Sequence, residues 1–179
     1  MEANPADITK EKVALLQDWG VTRVSLGAQS FSDDKLALLE RDHGAKDVSR
    51  ALEITRERIP QVSLALIFGV PGETHTVWQR DLELAIGLKP DHVSTYGLTF
   101  EPGTKYFRQL QRGDLTSLGE EVEREFYLAA IDQLTAAGFE HYEVSNFAQP
   151  ERRCRHNQVY WRGQEYFAVG PGAARYLDG

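Results

Sequence analysis

Apolar and polar residues follow two patterns along the chain, and three segments have the pattern of a β-strand. Apolar residues occupy every second position over residues 23–29, which predicts a strand with one buried face. Residues 62–68 form a nearly continuous apolar run, and such a run is typical of a buried strand in a parallel sheet. A third strand is predicted over residues 92–100.

Between these strands, the spacing of apolar residues and the signals for helix ends predict helices. Helices are predicted over residues 10–19, with Thr9 as the N-cap, over 33–41 and over 46–58. Thr74 starts a further helix, whose apolar positions follow the spacing i, i+4, i+7 and i+8. That apolar stripe consists of Trp78, Leu82, Ala85 and Ile86.

Strands that alternate with helices predict an α/β fold with parallel pairing and right-handed crossovers. In the second half of the chain the alternation stops. A long helix is predicted over residues 120–137, with strand-like segments at 141–147 and 165–170. We therefore expect two parts, an α/β domain at 1–104 and the beginning of an α+β C-terminal region at 105–179.

Composition and charge narrow the class of protein. The 179 residues are 41% hydrophobic and 26% charged, as in ordinary folded domains. A net charge of −7 disfavours nucleic acid as a partner, because nucleic-acid binding needs a basic surface. No apolar run reaches membrane-spanning length and no signal peptide opens the chain, so we expect a cytoplasmic protein that is not an integral membrane protein. A single cysteine fits a reducing compartment.

The densest chemistry lies in residues 142–161, YEVSNFAQPERRCRHNQVYW. Cys154 and His156 are soft metal-ligand types two residues apart, and an extended backbone would place both side chains on one face. Tyr160 and Trp161 supply flat apolar walls, so the combination suits an iron-containing macrocycle. The alternative is a surface loop with a buried Tyr-Trp anchor, and composition alone favours that alternative.

Basic residues cluster in the same segment. Guanidinium groups form paired hydrogen bonds with carboxylates, so such a patch suits the propionates of a porphyrin or an acidic partner. A solvated loop is the alternative interpretation. The residues are Arg152, Arg153, Arg155 and Arg162.

Three residues are candidates for ligand contact: Gln29 and Gly69 lie where strands end, as chemistry in parallel α/β folds does, and Arg41 lies in a run that ends a helix. The amide of Gln29 suits a ribose or an amino-acid group, or it stabilises a buried turn. Arg41 suits a carboxylate, or it is a cation at the end of a helix. Gly69 lets the backbone approach a nucleoside, or it simply makes a tight turn.

Six ordered motifs give the chain a family resemblance that covers nearly its whole length. They are MEANP at 1–5, RVSLGAQSF at 23–31, ERDHG at 40–44, LIFGVPGET at 66–74, HVSTYGLTFEPGT at 92–104 and EYFAVGPGAA at 165–174. With them the chain resembles the radical S-adenosylmethionine (SAM) proteins related to oxygen-independent coproporphyrinogen III oxidase. The HNQVYW run at 156–161 resembles a motif of the heme-chaperone subgroup of this family.

The resemblance implies a fold, cofactors and site residues. The family fold is a partial TIM-like barrel of six βα units, of which residues 1–104 resemble units four to six. The family's cofactors are SAM, a 4Fe–4S cluster and, in the chaperone subgroup, heme. The implied SAM contacts are Glu2, Gln29, Arg41 and Gly69. The implied heme candidates are Cys154, His156, Asn157, Tyr160 and Trp161.

The chain departs from the family pattern in two places. The family holds its cluster through three cysteines in a CxxxCxxC loop, whereas Cys154 is the single cysteine here. Relatives usually carry an Asp that contacts SAM where this chain has Ala65. We expect a truncated chain or a misplaced start, with an open sheet edge beside the strand at 23–29 and no 4Fe–4S cluster formed by this chain alone.

The sequence leaves three functions open, and with them the question whether the chain is an enzyme. The first is part of a chaperone that binds heme and delivers it to an acceptor protein. The second is a coproporphyrinogen III oxidase, which removes carboxyl groups from propionates in porphyrin biosynthesis. The third is an inactive remnant that lacks the cluster site.

Overall fold

A six-stranded sheet organises the chain in a computed structural model that describes residues 1–170 and 173–177. The spatial order is β1-β2-β3-β4-β6-β5, in which β1 to β4 are parallel and β6 pairs antiparallel with both β4 and β5. The strands are β1 Glu2–Ala3, β2 Arg23–Gln29, β3 Gln61–Phe68, β4 His92–Gly97, β5 Glu140–Glu143 and β6 Asn146–Ala148.

Seven helices connect and cover the described strands. The side chains of Thr9, Ser32 and Thr74 accept the N-terminal hydrogen bonds expected of N-caps, which confirms three predicted helix starts. The helices are α1 Lys10–Asp18, α2 Asp33–Leu38, α3 Ala45–Arg56, α4 His75–Gly87, α5 Lys105–Arg112, α6 Glu120–Ala136 and α7 Arg155–Trp161, and a 3₁₀ turn lies at Pro5–Asp7.

The two faces of the sheet differ in chemistry. Val24, Leu26 and Ala28 of β2 are fully buried in the core that the sheet forms with α3, α4 and α6. The intervening side chains, such as Arg23 and Ser25, lie on the opposite, more polar face. The alternation predicted from residues 23–29 is therefore confirmed, and it separates a core-facing side from a more polar side.

Two predicted strands and one helix differ from the structure by at least three residues or in kind, whereas the other predicted elements, apart from the segment at 165–170, match within two residues. The helix expected at 33–41 ends at Leu38, because Glu40 adopts a left-handed φ of 54° and the backbone N–H of Arg41 returns to the carbonyl of Leu36. The strand expected at 92–100 ends at Gly97. The segment at 141–147 is a hairpin rather than one strand, because the chain turns between β5 and β6.

The strand expected at 165–170 does not form among the described residues. Tyr166 makes one antiparallel bridge with Tyr176, and no longer ladder joins the two segments there. Residues 171–172 of the EYFAVGPGAA motif lie outside the described part of the chain.

The edge of β2 is covered rather than open over part of its length. Glu2 pairs with Ser25 and Ala3 with Leu26, and the amino group of Met1 donates to the carbonyl of Arg23 at 2.9 Å. The expected open edge is therefore wrong for the first half of β2, because a two-residue strand satisfies its backbone groups. The division at residue 104 stays a prediction, although the later hairpin joins the sheet through β4.

Candidate functional site

A cleft of about 510 Å³ lies on the polar face of the sheet, along the carboxyl-terminal halves of the parallel strands. It brings together three of the four predicted SAM contacts, namely Glu2, Gln29 and Arg41. The full lining is Glu2, Ala3, Asn4, Ser25, Gly27, Gln29, Arg41, Ala65, Ile67, Tyr96 and Gly97. This is the end of the sheet at which parallel α/β folds bind ligands.

Gln29 ends β2 in an unusual backbone conformation. Its φ is 61°, in the left-handed region that residues other than glycine rarely adopt, and such positions cluster at functional sites. The side-chain amide folds back over Gly27, where an added Cβ atom would lie 3.0 Å from Nε2 of Gln29. Gly27 thus leaves the space that lets the Gln29 amide lie along the floor of the cleft.

Arg41 lies on a loop beyond α2, so the alternative of a cation on the last helical turn does not describe its place. Two contacts fix the loop. The side chain of Asn4 donates to Asp42 at 3.1 Å, and Nε2 of the buried His43 is 3.0 Å from the carbonyl oxygen of Ala28. The loop is therefore tied to both β1 and β2, which places the guanidinium of Arg41 at the cleft.

Gly69 does not belong to the lining of the cleft. It has a φ of 82°, and a Cβ atom added there would lie 3.6 Å from the side chain of Glu123 and 3.7 Å from the backbone nitrogen of Leu98. The glycine thus allows a tight turn after β3 to pack beside α6 and β4. A ligand role for Gly69 stays a prediction.

A buried group of charges supports the rim of the cleft, and the sequence analysis missed it. The ammonium group of Lys35 contacts the carboxylates of Glu73 and Asp81, the second at 2.9 Å. Asp81 also accepts the hydroxyl of Ser30 at 2.7 Å. Glu73 accepts the backbone N–H of Val70 at 3.1 Å, and burial raises the pKa of the Glu73 carboxyl.

One sequence signal could have revealed this group. Asp81 lies between Trp78 and Leu82 on the apolar stripe of α4, where a charged residue is expected only if it is paired. Its partner could not have been read from the sequence, because Lys35 is 46 residues away.

The heme candidates lie on and beside α7, and their backbone is not extended. Cys154 is the N-cap residue, and His156, Asn157, Tyr160 and Trp161 follow in the helix. The expectation that Cys154 and His156 share one face of an extended segment is therefore wrong. Helical spacing instead pairs His156 with Tyr160, whose hydroxyl lies 2.8 Å from Nε2 of His156.

The aromatic residues of α7 are exposed. Tyr160 is 47% and Trp161 66% accessible, so the alternative of a buried Tyr-Trp anchor does not hold. The rings of His156, Tyr160 and Tyr166 form a cluster with centroid separations of 4.4 to 5.7 Å. An aromatic surface of this kind is accessible to a flat ligand.

A second cavity, of about 440 Å³, lies between α7 and the β5–β6 hairpin. Trp161 gives it an aromatic wall, and Arg153 and Arg162 give it two cations. Arg153 also pairs with Glu140 at 2.9 Å. The full lining is Tyr142, Glu143, Val144, Arg153, Gln158, Trp161 and Arg162.

The chain before α7 is fixed to the amino end of β2. The guanidinium of Arg23 donates to Gln61 at 2.6 Å, to Ser63 at 2.9 Å and to the carbonyl of Arg152 at 2.6 Å. Arg23 begins β2 and Gln29 ends it, so the heme candidates are attached at the opposite end of the strand from the cleft.

The residues present fit SAM better than they fit a 4Fe–4S cluster. The cleft offers carboxylate, amide and guanidinium groups, which match the charged amino-acid part and the ribose of SAM. A cluster held by three cysteines does not fit a chain with one cysteine. In the described part of the chain, no three His, Cys, Asp or Glu side chains gather as metal ligands. Nor does any helix described there have the length and apolar character to cross a membrane.

Parallel βα units with a polar cleft at the carboxyl ends of the strands define an α/β protein of the barrel type. A sequence profile of the radical SAM superfamily matches residues 1–85. The heme chaperone HemW of Synechocystis sp. is 41% identical over 180 residues, covering 100% of this chain and 44% of the relative. HemW of Bacillus subtilis is 38% identical, with 100% and 48% coverage. The chain therefore belongs to the radical SAM superfamily, as a HemW-like member.

Two further comparisons extend this result. The mitochondrial radical S-adenosyl methionine domain-containing protein 1 of Danio rerio is 39% identical over 97% of this chain and 39% of its own length. Coproporphyrinogen III oxidase (HemN) from Escherichia coli has a TM-score of 0.75 at 22% identity, over 92% of this chain and 37% of the other. This likeness confirms the predicted radical SAM barrel fold. The chain spans about half the length of the curated HemW relatives it matches.

Proposed function

We propose that this chain is the part of a HemW-like protein that binds heme, at the segment Cys154–Trp161, for delivery to an acceptor protein. The observation that carries the proposal is the exposed His156 on α7, a helix whose Trp161 and Arg162 line a cavity that His156 itself does not line. Sequence identities of 41% and 38% over the whole of this chain to proteins named heme chaperones support the same function.

The chemistry of α7 suits heme in two respects. His156 supplies an imidazole, a common axial ligand of heme iron, and it is exposed, so the iron can approach without unfolding the helix. Its Nε2 atom is occupied by the hydroxyl of Tyr160, so iron would bind Nδ1 or displace that hydroxyl. Trp161 offers an exposed apolar ring against which a macrocycle can pack. Cys154, at the start of the helix, is the second candidate for an axial ligand.

The cations near α7 suit the carboxylates of heme. Arg153 and Arg162 line the same cavity as Trp161, so a macrocycle against the tryptophan ring places its propionates within reach of guanidinium groups. Glu140 competes for Arg153, which makes Arg162 the stronger candidate.

A role for SAM belongs to the same proposal. Glu2, Gln29 and Arg41 converge on the cleft, and Arg41 is the candidate for the SAM carboxylate. Ala65 lines the cleft, at the position where the family resemblance implies an aspartate that contacts SAM. We therefore propose that this chain binds SAM more weakly than a relative with the acidic residue. In the oxidase alternative, the likeness to HemN supports the fold alone.

The test is a titration of the purified chain with hemin, followed by Soret absorbance. Saturable binding that weakens at least ~10-fold in His156→Ala is expected if an axial ligand is lost, since tenfold corresponds to about 1.4 kcal/mol. His75→Ala is the matched control, because His75 is also exposed and its side-chain contacts, to Glu125 at 2.8 Å and to the ring of Phe126, do not involve α7. Absence of saturable binding by the wild-type chain, shown to be folded by circular dichroism, would contradict the proposal and favour an inactive remnant.

A further inference from the structure

The hydroxyl of Tyr142 lies between the sheet and the segment that carries the heme candidates. Its oxygen is 2.8 Å from Nε2 of His92 on β4, 3.3 Å from the backbone nitrogen of Cys154 and 3.3 Å from Nδ2 of Asn157. Because Tyr142 belongs to β5, one oxygen atom connects two strands of the sheet to the beginning of α7.

The chemistry of the groups fixes the direction of each hydrogen bond. A backbone N–H and a side-chain NH₂ can only donate, so the Tyr142 oxygen accepts from Cys154 and from Asn157. The single hydroxyl hydrogen is then left for His92, to which we assign the neutral tautomer with Nε2 as the acceptor and a buried Nδ1–H. Burial, with Arg23 nearby, lowers the pKa of His92 to about 3, which agrees with a neutral imidazole. The hydroxyl thus uses its one donor and both acceptor positions.

Helix α7 needs an external attachment of this kind. It has seven residues, and its N-cap residue makes no side-chain capping hydrogen bond. Helices this short are marginal in water without tertiary contacts. The exposed side chains of Tyr160 and Trp161 contribute little burial on their side of the helix. The hydrogen bonds to Tyr142 therefore make up a large share of what holds the first turn.

We propose that Tyr142 is the positioning residue of this helix, and that Asn157 holds α7 against the sheet instead of contacting heme. Successive residues of a helix point about 100° apart, since 3.6 residues make a turn. With Asn157 directed at Tyr142, His156 is turned toward Tyr160 and Tyr166, on the exposed side. The orientation of the proposed axial ligand is then set by the hydroxyl of Tyr142, which is engaged with His92, Cys154 and Asn157. The effect on heme rests on the proposed function, whereas the attachment itself does not.

Tyr142→Phe tests the attachment, because it removes the hydroxyl and keeps the ring. Tyr127→Phe is the matched control, because it too removes one tyrosine hydroxyl, which donates to the carbonyl of Val144 at 2.9 Å rather than bonding to α7. Hydrogen exchange of the heme-free full chain, read by mass spectrometry over residues 154–161, should be about 10-fold faster in Tyr142→Phe and unchanged in Tyr127→Phe.

Hemin titration of the same variants tests the consequence. Tyr142→Phe and Asn157→Leu should each weaken hemin binding about 10-fold, and the double variant should be no weaker than either one, because both remove the same attachment. General destabilisation of the fold would weaken hemin binding in Tyr142→Phe and in Tyr127→Phe alike. The thermal unfolding midpoints of the two variants measure that destabilisation, so a loss of affinity caused by the missing attachment can be told apart from it.

Unchanged exchange over residues 154–161 in Tyr142→Phe overturns the inference. So does a double variant whose loss of affinity is the product of the two single losses. If the wild-type chain does not bind hemin, the exchange measurement still decides the attachment, and the proposed function fails separately.

Discussion

The ammonium nitrogen of Lys35 lies 2.9 Å from a carboxylate oxygen of Asp81, and both side chains are almost fully buried, at 4% and 1% exposure. The same nitrogen contacts the carboxylate of Glu73. Asp81 holds the hydroxyl of Ser30, the residue after Gln29, while Glu73 belongs to the turn after β3. This group of charges therefore connects the turns that end two neighbouring strands of the cleft.

Replacing Lys35 with methionine should destabilise the fold strongly. The variant leaves the carboxylates of Glu73 and Asp81 buried without a cation, and breaking a buried ion pair costs about 3–5 kcal/mol. Chemical denaturation with urea measures the free energy of unfolding. Lys12→Met is the control, because Lys12 pairs with Asp7 at 3.7 Å on the surface and such pairs contribute about 0–1 kcal/mol. Equal losses in the two variants would contradict a structural role for the buried charges.

Short sequence patterns predicted those strands and helix starts that are determined by residues close together in the chain. The alternation at β2, the apolar run at β3 and the N-caps at Thr9, Ser32 and Thr74 are all short-range patterns, and each has its counterpart in the structure. The parallel pairing of β2, β3 and β4 followed from the connections, since parallel strands joined by helices have few allowed arrangements, whereas β1 was not predicted.

The same signals could not predict features that depend on distant residues. The spacing of Cys154 and His156 is compatible with a strand or a helix, and the helix is attached through Tyr142 and, across the sheet, Arg23. The ion pair of Lys35 with Asp81 likewise joins residues that only the folded chain brings together. The convergence of Glu2, Gln29 and Arg41 was implied by resemblance, and its geometry required the fold.

Removing the guanidinium of Arg41 should weaken SAM binding without unfolding the chain. If Arg41 holds the carboxylate of SAM in the cleft, Arg41→Gln loses a charge-assisted hydrogen bond worth about 1.5–3 kcal/mol, or about 10- to 150-fold in affinity. Isothermal titration calorimetry measures the affinity. Arg50→Gln is the control, since Arg50 pairs with Asp47 at 3.3 Å on an exposed helix surface. Equal SAM affinity in wild type and Arg41→Gln would exclude this residue from the site.

The indole of Trp78 should contribute to the packing of α4 against α6. Its Nε1 donates to the backbone carbonyl of Phe126 at 2.7 Å, and the side chain is fully buried. Trp78→Phe loses this hydrogen bond and leaves unfilled volume, so we expect a loss of about 2–3 kcal/mol in urea unfolding. Trp19→Phe should change stability by less than about 0.5 kcal/mol, because Trp19 is 76% exposed. Similar losses in both variants would mean that the burial of a tryptophan does not determine how much free energy of unfolding its replacement removes.

Mild acid should destabilise the chain through His92. Its pKa falls from 6.5 to about 3 in the folded state, because burial disfavours the charged ring. The folded state therefore resists protonation while the unfolded state accepts a proton. The stability contributed by the neutral ring is fully present above about pH 6.5 and is lost progressively as the pH falls toward about 3.

At about pH 5 this linkage amounts to roughly 2 kcal/mol relative to neutral pH. His92→Gln removes the titrating ring while its amide oxygen can still accept the Tyr142 hydroxyl. Urea unfolding of both proteins at about pH 7 and about pH 5 isolates the effect, because every other titrating group is shared. We expect the wild type to lose about 2 kcal/mol more than His92→Gln on acidification. Parallel losses in the two proteins would mean that the pKa of His92 is the same in the folded and the unfolded chain, which would contradict a ring held neutral by burial.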